Sequence, residues 1–203
     1  MEAHDELRRR GEEAGYDRIH AAARRLFAQL GYDGTTTEMI ADAAGVDRQE
    51  VVAAGGRAGL YRRVLERFHR EQCEMLDRAA EEIPPDADRM RALMDRVLDF
   101  YLGHLEGLAI WQQRAMSDAA DMTDLEELYR DPVHQRAVRI LGADIADNAE
   151  FQMLFSVFGW CLSGFAVLGI PLPGGPALEP EDPHAQALFR EYMTELLDRL
   201  RPR

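Results

Sequence analysis

Not one of the 203 residues is lysine, so all 24 basic side chains are arginine. That absence removes Schiff-base chemistry, a pyridoxal anchor and a phosphate-loop lysine together. The glycine-rich run Gly55-Gly56-Arg57-Ala58-Gly59 therefore reads as a helix stop and turn, not a nucleotide cradle. Cysteine is scarce: Cys73 and Cys161 lie in helical stretches without metal-type spacing, which suits two reduced apolar thiols better than a disulfide. Neither Gly-x-Ser-x-Gly nor His-x-x-x-His occurs. A Glu-x-x-His step of the kind that binds di-iron in helical bundles stands at Glu66 and His69, but Glu66 lies off the apolar stripe of Leu60, Val64 and Phe68. The second such step, Glu181 and His184, falls in a proline-flanked loop. The expectation is no enzyme, with no catalytic residue, no metal site and no cofactor.

Positive charge is also short. The chain carries 37 Asp and Glu against 24 Arg, a net charge of −13, and the deficit is uneven: residues 1–72 hold 12 Arg against 13 acids, leaving the remaining 131 residues at −12. The 46% hydrophobic content is enough for a large core. The acidic, Arg-rich start shows no signal-peptide pattern, so a cytoplasmic protein is expected.

What is present is helical periodicity. Ile19, Ala22, Ala23, Leu26, Phe27 and Leu30 give a first helix with one apolar face, ending at Gly31 before a turn at Tyr32-Asp33-Gly34. Residues 35–54 then read as two short helices joined by a tight turn. Ala41 is small where the helices must cross, Gly45 sits where the chain must turn, and Val51 locks the second helix on the first, with Ile40, Ala44 and Val46 sharing the seam. Thr35 with Glu38, and Asp47 with Glu50, each fit a capping box. Such a hairpin can present its second helix to a DNA groove, although similar hairpins also occur inside ordinary helical bundles.

The stretch Ile19–Val46 resembles the N-terminal DNA-binding domain of the TetR family of bacterial transcriptional regulators. The resemblance implies an all-α protein: an N-terminal helix-turn-helix head of three helices, a long fourth helix as connector, and a larger helical ligand-binding and dimerisation domain. The corresponding division is a flexible arm over 1–15, a DNA-binding domain over 16–59 and a ligand-binding and dimerisation domain over 60–203. DNA contacts are then expected from Thr35, Thr36, Arg48, Gln49, Val52 and Arg57. After Val46 the chain departs from the family. Val52 stands where a phosphate-contacting Tyr is expected, Ala54 and Gly55 where further aromatics are expected, and no Lys opens the fourth helix. Arg57 is the nearest replacement cation, since a guanidinium fork can grip a phosphate. Arg62, Arg63 and the run Arg8-Arg9-Arg10 could add to a clamp, although the run also fits a solvated end balanced by Glu12 and Glu13.

Beyond the head, a connector is expected from Leu60 to Ile83, stopped by Pro84-Pro85. An apolar stripe follows from Met90 to Leu105, then shorter helices over Trp111–Ala120 and Val133–Ala146, a Pro/Gly-rich loop over 171–183 and a last helix from His184 to Leu200. Residues 151–170 contain no charge and must be tested as a membrane span. The acidic flank, the lack of Arg beside either end and the presence of Gln152, Ser156 and Ser163 argue against one. Burial between its own domain and a partner subunit is expected instead, making a four-helix seam with the last helix.

Aromatic and Met density suggests a cavity for a small apolar or aromatic ligand, lined by Phe100, Tyr101, His104, Trp111, Met116, Phe155, Phe158 and Trp160, with Tyr101 and His104 as polar tips; such residues also serve as plain core. The expected function is a ligand-responsive repressor acting as a homodimer on a double-stranded DNA operator, with ligand entry tilting the helix over 60–83. The alternative is a helical dimer that keeps the regulator fold but has lost operator binding and serves as a small-molecule or protein-binding module.

Overall fold

Gly45, with φ of 64°, lets the chain leave one short helix and enter another within three residues, and the first part of the molecule is built around that turn. The computed structural model describes residues 2–84, 87–142 and 148–200, with side chains from residue 14 onward. Pro85 in the expected helix stop, residues 143–146 of the expected helix over 133–146, and the side chains of Arg8, Arg9 and Arg10 fall outside what is described.

The ordered elements among the described residues are helices: α1 Glu2–Leu30, α2 Thr37–Ala44, α3 Arg48–Ala53, α4 Gly56–Glu82, α5 Arg89–Leu102, α6 Leu105–Ala115, a π-helical turn Glu126–Arg130, α7 Asp131–Leu141, α8 Ala149–Leu168 and α9 Pro183–Arg199. An isolated antiparallel bridge pairs Ile170 with Leu178 in the loop after α8. The all-α reading with an N-terminal helix-turn-helix holds. Two compact units result: Met1–Phe68 with Ile110–Met122, and His69–Ala109 with Thr123–Arg203.

In the first unit, α1 packs on α2 and α2 on α3. Ile19, Ala23, Phe27, Ile40, Ala41 and Val51 are buried, the last exposing nothing, as the helix-turn-helix spacing requires. Phe27, Tyr32 and Tyr61 form an aromatic cluster, with Phe27 edge-on to Tyr61 at 5.0 Å and Tyr32 against Tyr61 at 5.0 Å. Leu60, Tyr61, Val64 and Leu65 of α4 are buried within the same unit.

Several boundaries differ from the sequence reading, among them that the stripe expected over 90–105 breaks between Leu102 and Leu105 and that the next helix starts at Leu105. Residues 2–15, read as an arm, continue α1. The turn before α4 is confined to Ala54 and Gly55, and the helix starts at Gly56, because the Gly55 carbonyl already accepts from Gly59 at 3.1 Å. The helix expected over 111–120 stops at Ala115, where Ser117 and Ala119 take left-handed backbone angles, φ 73° and 53°.

The second unit has one apolar core, in which Leu76, Leu93, Leu98, Phe158 and Leu162 are almost wholly covered. Helix α5 packs on α7, α8 and α9. Ion pairs Arg91–Asp198 and Arg190–Asp99 tie α5 to α9 at its surface. Helix α8 is long and apolar enough to cross a membrane by length and composition, with mean hydropathy 1.7, yet only 28% of that window is buried. Phe151, Leu154, Phe158, Leu162 and Phe165 bury one face of it in its own unit, while Met153, Trp160, Val167 and Leu168 stand exposed.

Candidate nucleic-acid interface

The third helix is six residues long and is held from three directions. Val51 anchors it inward. At its start the Glu50 carboxylate accepts the Asp47 backbone N–H at 3.0 Å, the capping box read from sequence. At its end Arg63 donates to the Ala54 carbonyl at 2.5 Å and to the Tyr16 hydroxyl at 3.0 Å. With the inner face fixed, Arg48, Gln49 and Val52 are left exposed on one helix surface. These are three of the six residues expected to touch DNA.

The threonines separate. Thr36, not Thr35, caps α2: its hydroxyl accepts the Met39 N–H at 3.2 Å, and it stays exposed. Thr35 is fully buried and its hydroxyl donates to the Gly31 carbonyl at 2.6 Å, which withdraws it from any surface role. The expected Thr35–Glu38 capping box is therefore replaced by a Thr36 cap, and Glu38 turns to Arg48 instead, Nε to Oε1 at 2.5 Å.

Arg57 is not a free phosphate clamp. One guanidinium nitrogen donates to the carbonyls of Tyr32 at 3.3 Å and Thr35 at 3.2 Å, and the group lies 4.1 Å over the Tyr32 ring. It braces the α1–α2 turn, and any contact to a phosphate has to be made by the donors left over.

That turn carries a second brace that the sequence reading missed. The Asp118 carboxylate accepts two successive backbone N–H groups, Tyr32 at 2.7 Å and Asp33 at 2.8 Å. In return the Asp33 carboxylate accepts the Ala119 N–H at 3.2 Å. Successive amides facing one carboxylate make a strong anion seat. Gly31 makes room for it: with φ of 72°, a Cβ there would lie 2.8 Å from an Asp118 oxygen. Arg114 supports the left-handed backbone from behind, donating to the carbonyls of Ala119 at 2.9 Å and Met122 at 2.6 Å. No local pattern signals a partnership across 86 residues.

Electrostatically the exposed tip is acidic. Over the described residues 36–53, Glu38, Asp42, Asp47 and Glu50 are exposed and Arg48 is the one arginine. His20, behind α3 in the same unit, has a buried Nε2 with no hydrogen-bond partner, and burial, followed by the Arg63 and Arg67 charges, pushes its pKa below the usual histidine value.

The residues expected to line a ligand cavity are divided between the two units. Trp111 and Met116 belong to the first unit, the rest to the second. Met116 and Trp160 are 63% and 65% exposed, which is incompatible with lining a closed cavity; composition counts aromatic side chains but not the face they occupy. Phe158 is core. Phe155 is half-buried and edge-on to His134 at 5.9 Å. Phe100, Tyr101 and His104 do come together: Phe100 stacks on His104 at 4.1 Å, and His104 Nδ1 donates to the Phe100 carbonyl at 2.6 Å. Buried Gln72 donates to the Tyr101 hydroxyl at 2.7 Å, and Glu71 lies 3.4 Å from His104 Nε2. Burial pushes the Tyr101 hydroxyl up to about 12. Cys73 and Cys161 are free thiols, both pushed up by burial.

A three-helix head with an exposed third helix, joined to a larger helical unit, defines a helix-turn-helix protein. Residues 19–51 match the family model described as bacterial regulatory proteins, tetR family. The chain is 35% identical over 102 residues to the HTH-type transcriptional repressor SCO4008 of Streptomyces coelicolor, an alignment covering 50% of each; the chain thus spans about half the length of the curated relative it matches. In fold it is similar to the ketosteroid transcriptional regulator KstR2 of Mycobacterium tuberculosis, with 17% identity, TM-score 0.65, and 90% of this chain and 93% of that one covered. It is also similar to the probable transcriptional regulatory protein RHA5900, with 17% identity, TM-score 0.56, and 93% and 100% covered. Residues 19–51 are thus similar to the head of tetR-family regulatory proteins, and the fold as a whole is similar to that of solved transcriptional regulators.

Proposed function

We propose that this protein is a DNA-binding transcriptional repressor that acts as a homodimer and responds to a small apolar or aromatic ligand. The observation that carries the reading is the exposure of Arg48, Gln49 and Val52 on α3 while Val51 on the same helix is fully buried. A helix pinned by its inner face and both ends, with an exposed outer face, is what a major groove about 12 Å wide admits.

The dimer is supported by the uncovered face of the second unit. Met153, Trp160 and Val167 recur at seven-residue spacing along α8, and Tyr192 and Leu200 are exposed on and just after α9. A second copy related by a two-fold axis covers such a face with itself. Ligand response draws its support from Phe100, Tyr101 and His104, which combine aromatic surface with polar tips. Helix α4 runs unbroken from Gly56 to Glu82 and contributes residues to both units, so a ligand that favours one setting of this helix shifts the population of the other.

A second reading, a dimeric module that has lost operator binding, is favoured by one observation: over the described residues 36–53, four exposed acids stand against one Arg. One assay separates the two. The purified protein is titrated against its own upstream intergenic DNA at two salt concentrations. The repressor reading expects saturable binding that weakens steeply with salt, whereas no binding to any promoter fragment in dilute buffer leaves the module. Ligand response is checked by thermal shift across apolar and aromatic metabolites, and a melting temperature that never moves removes it.

A further inference from the structure

We propose that Glu38 is a specificity-determining residue: by holding Arg48 through Nε it presents a neutral donor–acceptor pair, rather than a bare cation, to the major groove, and that pair selects a G·C base pair. The inference rests on the reading that α3 enters DNA, and names what its tip recognises there.

Three observations carry it. The pair bridges the first turn of α2 and the first residue of α3, so it spans the surface both helices present at the turn. Both side chains are exposed, 64% for Arg48 and 58% for Glu38, so the pair lies where a duplex can reach it rather than serving as core. The other arginines of the head with close contacts to its turns are engaged inward: Arg57 on the carbonyls of Tyr32 and Thr35, Arg63 on that of Ala54.

Glu38 is a fixed charge. Its own backbone N–H, then the Arg48 guanidinium, hold its carboxyl below the usual carboxylate range, and the Thr36 hydroxyl adds to this. The contact uses Nε of Arg48, so it is not the Nη1/Nη2 end of the fork that holds it. Two parallel N–H groups match O6 and N7 of guanine, and a carboxylate oxygen beside them matches the N4 amino group of cytosine. A phosphate offers acceptors only. It satisfies the Arg but meets repulsion from Glu38, so the same pair that rewards G·C suppresses attachment to backbone of arbitrary sequence.

The test compares wild type, Glu38→Gln and Arg48→Ala, each first shown by thermal melting to be folded. Bound sequences are selected from a random duplex library, and binding to a random duplex is then measured across a salt series. The expected result for Glu38→Gln is roughly five- to tenfold tighter binding to random duplex at low salt, with a salt slope steeper by about 0.9 from one freed cation. Guanine preference at one position per half-site falls roughly tenfold. Arg48→Ala loses that preference without gaining random-duplex affinity. If Glu38→Gln tightens binding to all duplexes while guanine preference is intact, Glu38 only repels and the inference is overturned. Identical behaviour of Glu38→Gln and wild type overturns it too, and in both cases the repressor reading stands. If wild type binds no duplex at all, the repressor reading falls and this inference falls with it.

Discussion

In the first unit, the turn at 31–35 has its polar groups met one by one by side chains of that unit. Asp118 takes the N–H groups of Tyr32 and Asp33, Arg57 takes the carbonyls of Tyr32 and Thr35, and Thr35 takes that of Gly31. In the second unit, polar contacts tie α5 to α9 at the surface, but Met153, Trp160, Val167 and Leu168 remain more than half exposed along α8. The two units draw their order from different sources. A head whose 31–35 turn is braced by side chains holds a six-residue helix that could not persist alone, whereas the body carries an apolar surface that association would cover.

The comparison breaks first at the aromatic cluster. Phe27→Ala removes a fully buried ring from between Tyr32 and Tyr61 and is expected to cost about 3–5 kcal/mol, read as loss of the head's cooperative melting while the second unit keeps its own. Trp160→Glu, on the exposed face of α8, is expected to leave each chain folded and weaken self-association by about 2–4 kcal/mol, seen as monomer in sedimentation at concentrations where wild type is dimeric. A wild type that sediments as monomer at every concentration removes the dimer.

Asp118→Ala leaves two backbone N–H groups unmet and is expected to cost about 1–3 kcal/mol, with faster hydrogen exchange confined to residues 31–35. Protection there that does not change would mean the seat is incidental. Arg57→Ala, which removes the donor to the Tyr32 and Thr35 carbonyls, is expected to lower the head's stability as well, read as a lower melting temperature.

The smallest effects sharpen the contrast by pH, with opposite signs. His20 is half-buried with a lowered pKa; the head's stability is therefore full above the unfolded histidine value near 6.5 and declines as pH falls below it. Tyr101 is raised to about 12; the body's stability is full below the unfolded tyrosine value near 10 and declines as pH climbs toward 12. His20→Gln should flatten the acid limb alone and Tyr101→Phe the alkaline limb alone, measured as melting temperature against pH.

The legible parts of the sequence were those in which one residue type at one spacing has one physical meaning. Ala41, Gly45 and Val51 fixed the crossing, the left-handed turn and the buried lock of the helix-turn-helix, and the Asp47–Glu50 box fixed the start of α3. Three consecutive threonines could not be ranked as caps, because any of them can supply the oxygen; the backbone decided for Thr36 when Thr35 was drawn inward by Gly31. Gly55-Gly56 was overread as a long break, since burial of Leu60 and Tyr61 starts α4 at once. Asp118 had no signal at all: an aspartate becomes an anchor only through the tertiary position of its acceptors. The aromatic residues of the body were counted correctly, but which of them face inward depends on packing that composition does not encode.

The exposed indole on α8 has a practical consequence. Trp111 lies in the first unit and Trp160 in the second, and the chain has no other tryptophan. Each half of the molecule therefore carries its own intrinsic fluorophore. With Trp111→Phe the remaining emission should shift to the blue as concentration rises and a partner shields the ring; with Trp160→Phe it should follow the head alone, so the two halves can be watched separately without attaching a dye.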